Sequence, residues 1–170
     1  HGTMTGTPRI TTLCYLENND KYLMLHRISK KDDVNKGKWI GVGGKFEDGE
    51  APEECIRRET AEETGFSLRS CRYRGVLTFI YADKAPEYIF TYTSTDFDGD
   101  ESIVPSCDEG IFRWVEKSKL SELELWEGDR FMLRYLIQDR IEPFSLKLIY
   151  DAEDVLMEAW ELSGIPERLK

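Results

Sequence analysis

One helix constrains this chain more than any other feature. Pro52 sits at a first-turn position, Glu53 and Glu54 suit the positive end of a helix, and Gly65 stops it. Advancing about 100° per residue from Pro52 places Cys55, Ile56, Glu59, Glu62 and Glu63 within one arc of about 120°, with Arg57, Ala61 and Thr64 opposite. The apolar stripe that must face a core therefore runs into three carboxylates. Like charges at i, i+3 and i+4 repel one another and cost more when partly desolvated. They also lie toward the helix end where the macrodipole disfavours anions. A cation among them offsets all three effects. Oxygen ligands favour Mg²⁺, with Mn²⁺ as its substitute, over zinc. On periodicity alone an acidic helix face without a metal fits equally well, because helices carry many glutamates.

The elements around this helix read as a mixed α/β domain. Thr11 to Leu16 and Lys21 to Arg27 form a hairpin about Asn18-Asn19-Asp20, residues 28–37 are a polar loop, and Trp39 to Val42 is a short strand running into Gly43-Gly44. Strands follow at 72–81 and 87–95, with a turn from Asp83 to Pro86, and then at 110–116 and 144–150. A helical turn is expected at 118–123, a helix at 128–138 and a terminal helix at 154–162. Strands interspersed with helices predict a sheet packed between helices. His1-Gly2-Thr3 reads as an expression scar before Met4, which leaves residues 4–170 as a single domain and His26 as the one native histidine.

Composition narrows the function. A formal net charge of −10 is a poor footprint for duplex nucleic acid or an anionic membrane. A polyanionic small substrate would need local neutralisation, and bound divalent cations supply it. Cysteines 14, 55, 71 and 107 lack C-x-x-C spacing, so neither a zinc ribbon nor a redox motif is expected. Cys14, Cys55 and Cys71 read as small buried thiols. With no signal peptide and no apolar run near 18 residues, the expected setting is cytoplasmic.

The spacing from Gly44 to Phe66 is specific. Gly44, Glu50, Arg58, Glu59, Thr60, Glu62, Glu63, Gly65 and Phe66 follow the pattern of the Nudix box, and the chain resembles that hydrolase family. Seven fixed positions would coincide by chance about once in a million chains. Thr60 departs from the pattern, which has an aliphatic residue there, and touches packing rather than chemistry. The resemblance implies an α/β/α sandwich with a mixed β-sheet and a loop-helix-loop catalytic motif. It implies that Glu59, Glu62 and Glu63 bind divalent metal, that the Gly43 carbonyl is a further ligand, that Arg58 positions a glutamate, and that Glu50 pins the loop. A further glutamate after the box serves in the family as ligand or base. Glu109, ahead of the 110–116 strand, is the candidate, or else a turn residue at a strand entrance. Such a site splits a phosphoanhydride: metals offset its negative charge and acidify a water, and a carboxylate takes the proton. Lys45 and Arg27 are candidate phosphate ligands, and Arg27 reads equally as an exposed strand-end cation.

Two stretches, Gly37 to Lys45 and Leu125-Trp126-Glu127-Gly128-Asp129, are similar to the MutT-like enzymes that hydrolyse oxidised purine nucleoside triphosphates such as 8-oxo-dGTP. That resemblance implies that Trp126 stacks on a purine and Asp129 accepts hydrogen bonds from its edge. Trp126 reads alternatively as a buried anchor of the last helix, and Phe79 as pocket lining or core. Gly128 stands where the mammalian enzyme has a second acid, and Ile40 where it has asparagine. The rival readings are a Nudix hydrolase of ADP-ribose, a dinucleotide polyphosphate or capped RNA, and a ligand sensor on the same fold. The complete set of box glutamates argues against the sensor.

Overall fold

In the computed structural model, which describes residues 6–100, 102 and 106–170, β1 (Arg9–Asn18) is buried on both faces. The His1–Thr3 scar lies outside the described residues. Leu13 and Tyr15 enter one core, and Cys14 and Leu16 enter another. A strand that is apolar at consecutive positions has to be covered on both sides, and that requirement sets the architecture. β1 pairs antiparallel with β4 (Val42–Lys45) and parallel with β6 (Glu87–Asp98). Beyond β6 come β5 (Ser67–Tyr81), β9 (Phe144–Tyr150), β10 (Leu156–Glu161) and β11 (Glu167–Arg168), with β5 and β9 parallel. A smaller group holds β2 (Lys21–Arg27) between β3 (Trp39–Ile40) and β8 (Gly110–Glu116), with β7 (Ser106–Cys107) outside β8. It meets the first group where β1 turns into β2, at the pairs Glu17↔Tyr22 and Asn18↔Lys21.

One helix covers each face. α1 (Pro52–Thr64) inserts Ile56 among Cys14, Leu16, Val42 and Phe66. α2 (Asp129–Ile137) inserts Met132, Leu133 and Leu136 against Leu13, Tyr15, Leu77, Leu146 and Leu148. Burying an aliphatic side chain of this size contributes about 1.5–3 kcal/mol. The α/β/α sandwich with a mixed sheet is the observed fold. Among the described residues no helix is long and apolar enough to cross a membrane.

Four expectations are corrected. The segment 154–162 is not a helix: Leu156–Glu161 is a strand paired antiparallel with β9, burying Leu156, Ala159 and Glu161. Good helix formers there are overridden by an open sheet edge, because strand preference follows packing more than composition. The strands expected at 72–81 and 87–95 are longer, and their early pairing passes through register shifts between Leu68 and Gly75 that blur the period-two signal. Thr64, placed opposite the core by the ideal helical wheel, is buried: its hydroxyl donates to the Thr60 carbonyl at 2.6 Å and accepts the Phe66 N–H at 3.0 Å. Cys14 and Cys55 are buried as expected, whereas Cys71 is only half-buried.

Candidate active site

The acidic face of α1 lies against the glycine pair at the end of β4. A side chain at Gly43 would meet the Thr12 carbonyl at 1.9 Å, and one at Gly44 would meet the Glu59 carboxylate at 2.5 Å. At Gly43 the backbone of β1 leaves no room for a side chain, and at Gly44 one would displace the Glu59 carboxylate. The Gly43 N–H donates to Glu63 at 3.3 Å. α1 begins with the Ala51 N–H donating to Glu54 at 2.9 Å and ends at Gly65 in the left-handed region (φ 76°). Arg58 braces the assembly. It donates through Nε and Nη2 to both oxygens of Glu50 (2.8 and 2.9 Å), through Nη1 to Glu59 (2.9 Å) and Glu62 (3.4 Å), and through Nη2 to the Lys45 carbonyl (2.9 Å). Such forked, charge-assisted bonds fix geometry as well as charge.

The carboxylates differ in how burial treats them. The Arg58 fork holds Glu50 down at about 2. Glu59 is raised, by burial first, against the lowering pull of Arg58. Glu63 is raised to about 9 by burial and by the charge of neighbouring Glu109. Glu62 stands at the open edge, with 59% of its side chain exposed. Glu109 occupies the two-residue turn between β7 and β8 and faces α1. Its Oε2 is buried without a hydrogen bond, and Arg27 ion-pairs with it at 3.1 Å outside hydrogen-bond geometry. Buried like charges, one with an orphaned oxygen, form an all-oxygen donor set that fits a hard divalent cation. Among the described residues no three acidic, His or Cys side chains already converge as a metal cluster. In this arrangement oxygens of Glu59 and Glu63 are engaged by Arg58 and by the Gly43 N–H.

Across the sheet, the head of α2 is aromatic. Trp126 is 3% exposed, edge-on to Tyr150 (4.8 Å between centroids), Phe79 (5.1 Å) and Tyr81 (6.0 Å). Its indole N–H donates to Asn35 at 2.7 Å, and the Lys38 ammonium lies 4.3 Å from the ring centre while pairing with Asp154 at 2.8 Å. Asp129 is buried and raised to about 7, by burial and by the charge of Glu87. The Tyr15 hydroxyl, which feels the Asp129 charge, is buried without a partner. At Gly128 a side chain would strike Leu148 at 2.6 Å and the Tyr150 hydroxyl at 2.7 Å, and that hydroxyl accepts the Gly128 N–H at 2.8 Å. The position of a second acid is thus filled by Tyr150.

The structure therefore groups Gly43, Arg58, Glu59, Glu63 and Glu109, leaves Glu62 at their rim, and sets Phe79, Trp126 and Asp129 apart with the aromatic cluster. Arg27 is bound by Asp33 at 2.7 Å as well as by Glu109. Lys45 is exposed at the end of β4, next to the box. Sequence reasoning missed Asn35, Lys38, Tyr150, Tyr15 and Glu87 around Trp126 and Asp129. Lys38 stood inside a stretch already singled out. The others arrive through pairings remote in sequence, which leave no local periodic signal.

A NUDIX domain profile matches residues 7–136. The uncharacterised Nudix hydrolase YvcI of Bacillus subtilis is 30% identical over 139 residues, covering 79% of this chain and 82% of that protein. The oxidised purine nucleoside triphosphate hydrolase of Mus musculus is 28% identical over 135 residues, covering 79% and 83%. In fold, the chain is similar to the MutT protein of Bacillus halodurans, with a TM-score of 0.79 at 23% identity over 92% of this chain and 99% of that one.

Proposed function

Because the chain belongs to the NUDIX family and is a hydrolase of MutT type, we propose that it cleaves a nucleoside triphosphate, an oxidised purine such as 8-oxo-dGTP, to monophosphate and pyrophosphate with Mg²⁺. The observation that carries this reading is the Arg58-braced acidic face of α1 lying against the Gly43–Gly44 end of β4, with Glu59 under Gly44, Glu63 accepting the Gly43 N–H and Glu109 beside Glu63. Nudix hydrolases generally use a divalent metal. Glu59, Glu62, Glu63 and Glu109, with the Gly43 carbonyl, would hold it. When bound it offsets phosphate charge and lowers the pKa of water. The residues do the rest. Arg58 fixes the orientation of Glu59, and Glu50 fixes Arg58. A carboxylate of the Glu59, Glu63 and Glu109 group accepts the proton of the attacking water. In this reading Lys45 and Arg27 are the cations that meet the phosphate tail. Asp129 accepts from the purine edge, and Trp126 and Phe79 provide the aromatic wall. For the indole to meet a base, the segment carrying Asn35 and Lys38 moves aside.

The substrate class rests on the likeness to the oxidised purine nucleoside triphosphate hydrolases of Mus musculus and Danio rerio. The test is a hydrolysis panel with Mg²⁺ over 8-oxo-dGTP, dGTP, ADP-ribose and dinucleotide polyphosphates, with ¹⁸O-water locating the attacked phosphorus. Monophosphate and pyrophosphate from 8-oxo-dGTP, with higher kcat/KM than from the others, is expected. Orthophosphate release, or a preference for ADP-ribose, overturns the substrate assignment.

A further inference from the structure

At the end of α2 remote from Asp129, a cleft of about 460 Å³ opens between that helix and the bulged part of the β5–β6 pair. The volume is in the range of small-molecule sites. Its lining is unusual for a chain of net charge −10. Arg72, Arg74 and Lys117 line it with two carboxylates, Glu17 and Asp139, while Asp20 reaches Lys117 from outside at 3.7 Å. Lys117 takes Glu17 at 2.8 Å. Both guanidiniums are left with a single oxygen of Asp139, at 2.7 Å from Arg72 and 3.5 Å from Arg74.

Arg74 is the key group. It is 6% exposed, and its other contacts are the Thr93 hydroxyl at 3.1 Å and the Leu136 carbonyl at 3.4 Å, both neutral. Burial, and then the charge of Arg72, pull its pKa below the usual arginine value, the signature of an incompletely neutralised cation. Asp139 serves the two arginines unequally, because the same oxygen is 2.7 Å from Arg72 and 3.5 Å from Arg74, and at 72% exposure it is screened by solvent. Thr93 accepts from Arg74, which leaves its own hydroxyl proton to donate. The carbonyl end of α2 opposes an anion, but Arg74 and Arg72 already donate to the carbonyls of Leu136 and Arg140, and the dipole fades within the last turn. Two guanidiniums two residues apart on β5, an ammonium and a hydroxyl match a tetrahedral oxyanion, which arginine binds bidentately.

We propose that this cleft binds a phosphate-bearing small molecule through Arg72, Arg74, Lys117 and the Thr93 hydroxyl, as a second site separate from the acidic helix. The phosphate can come from free pyrophosphate or from a nucleotide. The inference does not depend on the substrate proposed above.

The experiment is a ¹H–¹⁵N NMR titration of the whole chain in EDTA, where the acidic helix has no cation with which to attract phosphate. Pyrophosphate and a nucleoside monophosphate are the probes, with chloride at matched ionic strength as control. Shifts are expected to cluster at 70–74, 93–95, 117 and 136–139, and the dissociation constant should rise about tenfold or more in Arg72→Gln/Lys117→Gln. Response to pyrophosphate assigns the site to free oxyanions, and response to the monophosphate alone assigns it to nucleotides. Either supports the proposal. Shifts confined to residues 44–63, a chloride response equal to that of the probes, or unchanged affinity in the double variant overturns it. Arg72 is 45% exposed on its side chain, so its replacement leaves the buried Arg74 and the fold in place.

Discussion

The two ends of the candidate site are built on opposite principles. Around α1, geometry is imposed by charge: one arginine reaches four residues, and the carboxylates it does not neutralise crowd one another. At the head of α2, geometry is imposed by shape: three aromatic rings meet around one indole, and the buried carboxylate of Asp129 nearby is raised to about 7. The first end is strained by its own charges and suits a ligand that brings cations. The second is filled by packing, with Trp126 buried among its neighbours. Changes at the acidic end should therefore alter turnover with little loss of fold, and changes at the aromatic end should alter binding and stability together.

The sharpest break of that contrast is Glu63→Gln. It keeps the shape and removes a charge from a crowded group, so kcat at saturating Mg²⁺ should fall about a hundredfold or more. Thermal unfolding should show no loss of stability at neutral pH, since a carboxylate whose folded pKa is raised to about 9 is a liability wherever it must ionise. Near-normal turnover in this variant would remove the catalytic role of the acidic end.

Next in size is Trp126→Ala, which should raise KM roughly tenfold with a smaller change in kcat. Unlike the glutamate change, it should also lower stability by about 3–5 kcal/mol, because the indole is part of the core. Trp126→Phe keeps most of the packing and separates the two effects. A KM unmoved in both variants, with fold intact in the second, places the base elsewhere.

Asp129 sharpens the comparison through pH. Its folded pKa of about 7 lies above the ordinary 3.8, so the protonated form is favoured by folding. The resulting stability is fully present below pH 3.8 and is lost as pH rises through about 7. Asp129→Asn should flatten that dependence and melt above wild type at pH 8. It should also change the ratio of kcat/KM for 8-oxo-dGTP and dGTP a few-fold, roughly 3-fold, since an amide both donates and accepts. An unchanged melting profile and an unchanged ratio would together remove Asp129 from base reading.

The smallest effect has the opposite sign of linkage. Glu50 is depressed from 4.5 to about 2, so its contribution is present above pH 4.5 and is lost as pH falls through about 2. Arg58→Lys should shift acid unfolding to slightly higher pH, followed by circular dichroism, because an ammonium cannot reproduce the fork. Identical acid titrations would show that the fork orients Glu50 without stabilising the fold.

The acidic end was legible in sequence because it is local. Proline, helix, carboxylates and stop glycine lie within one run, and periodicity alone puts Glu59 and Glu63 on the Ile56 face. Glu109 was singled out by the family resemblance, which implies a further glutamate after the box, and its approach to Glu63 depends on the pairing of β2 with β8. The aromatic end was legible only in part. Trp126 and Asp129 stand out, yet the Lys38 contact to Asp154 spans 116 residues and the Asn35 contact to Trp126 spans 91. The last strand was misread because Leu, Met, Glu and Ala favour a helix when alone, and here the open edge of β9 decides. The crowding of Gly128 by Leu148 and Tyr150 is likewise contained in no reading of residues 125–129 by themselves.

The position of β1 has a consequence for the chain as it is made. Its sheet neighbours include β4 and, in parallel, β6, so β1 cannot be enclosed until residues near 98 have been made. Its two apolar faces stay wet through that interval, and the β5–β9 pairing adds a second delay of the same kind. Such non-local, parallel closure is slow and exposed to aggregation.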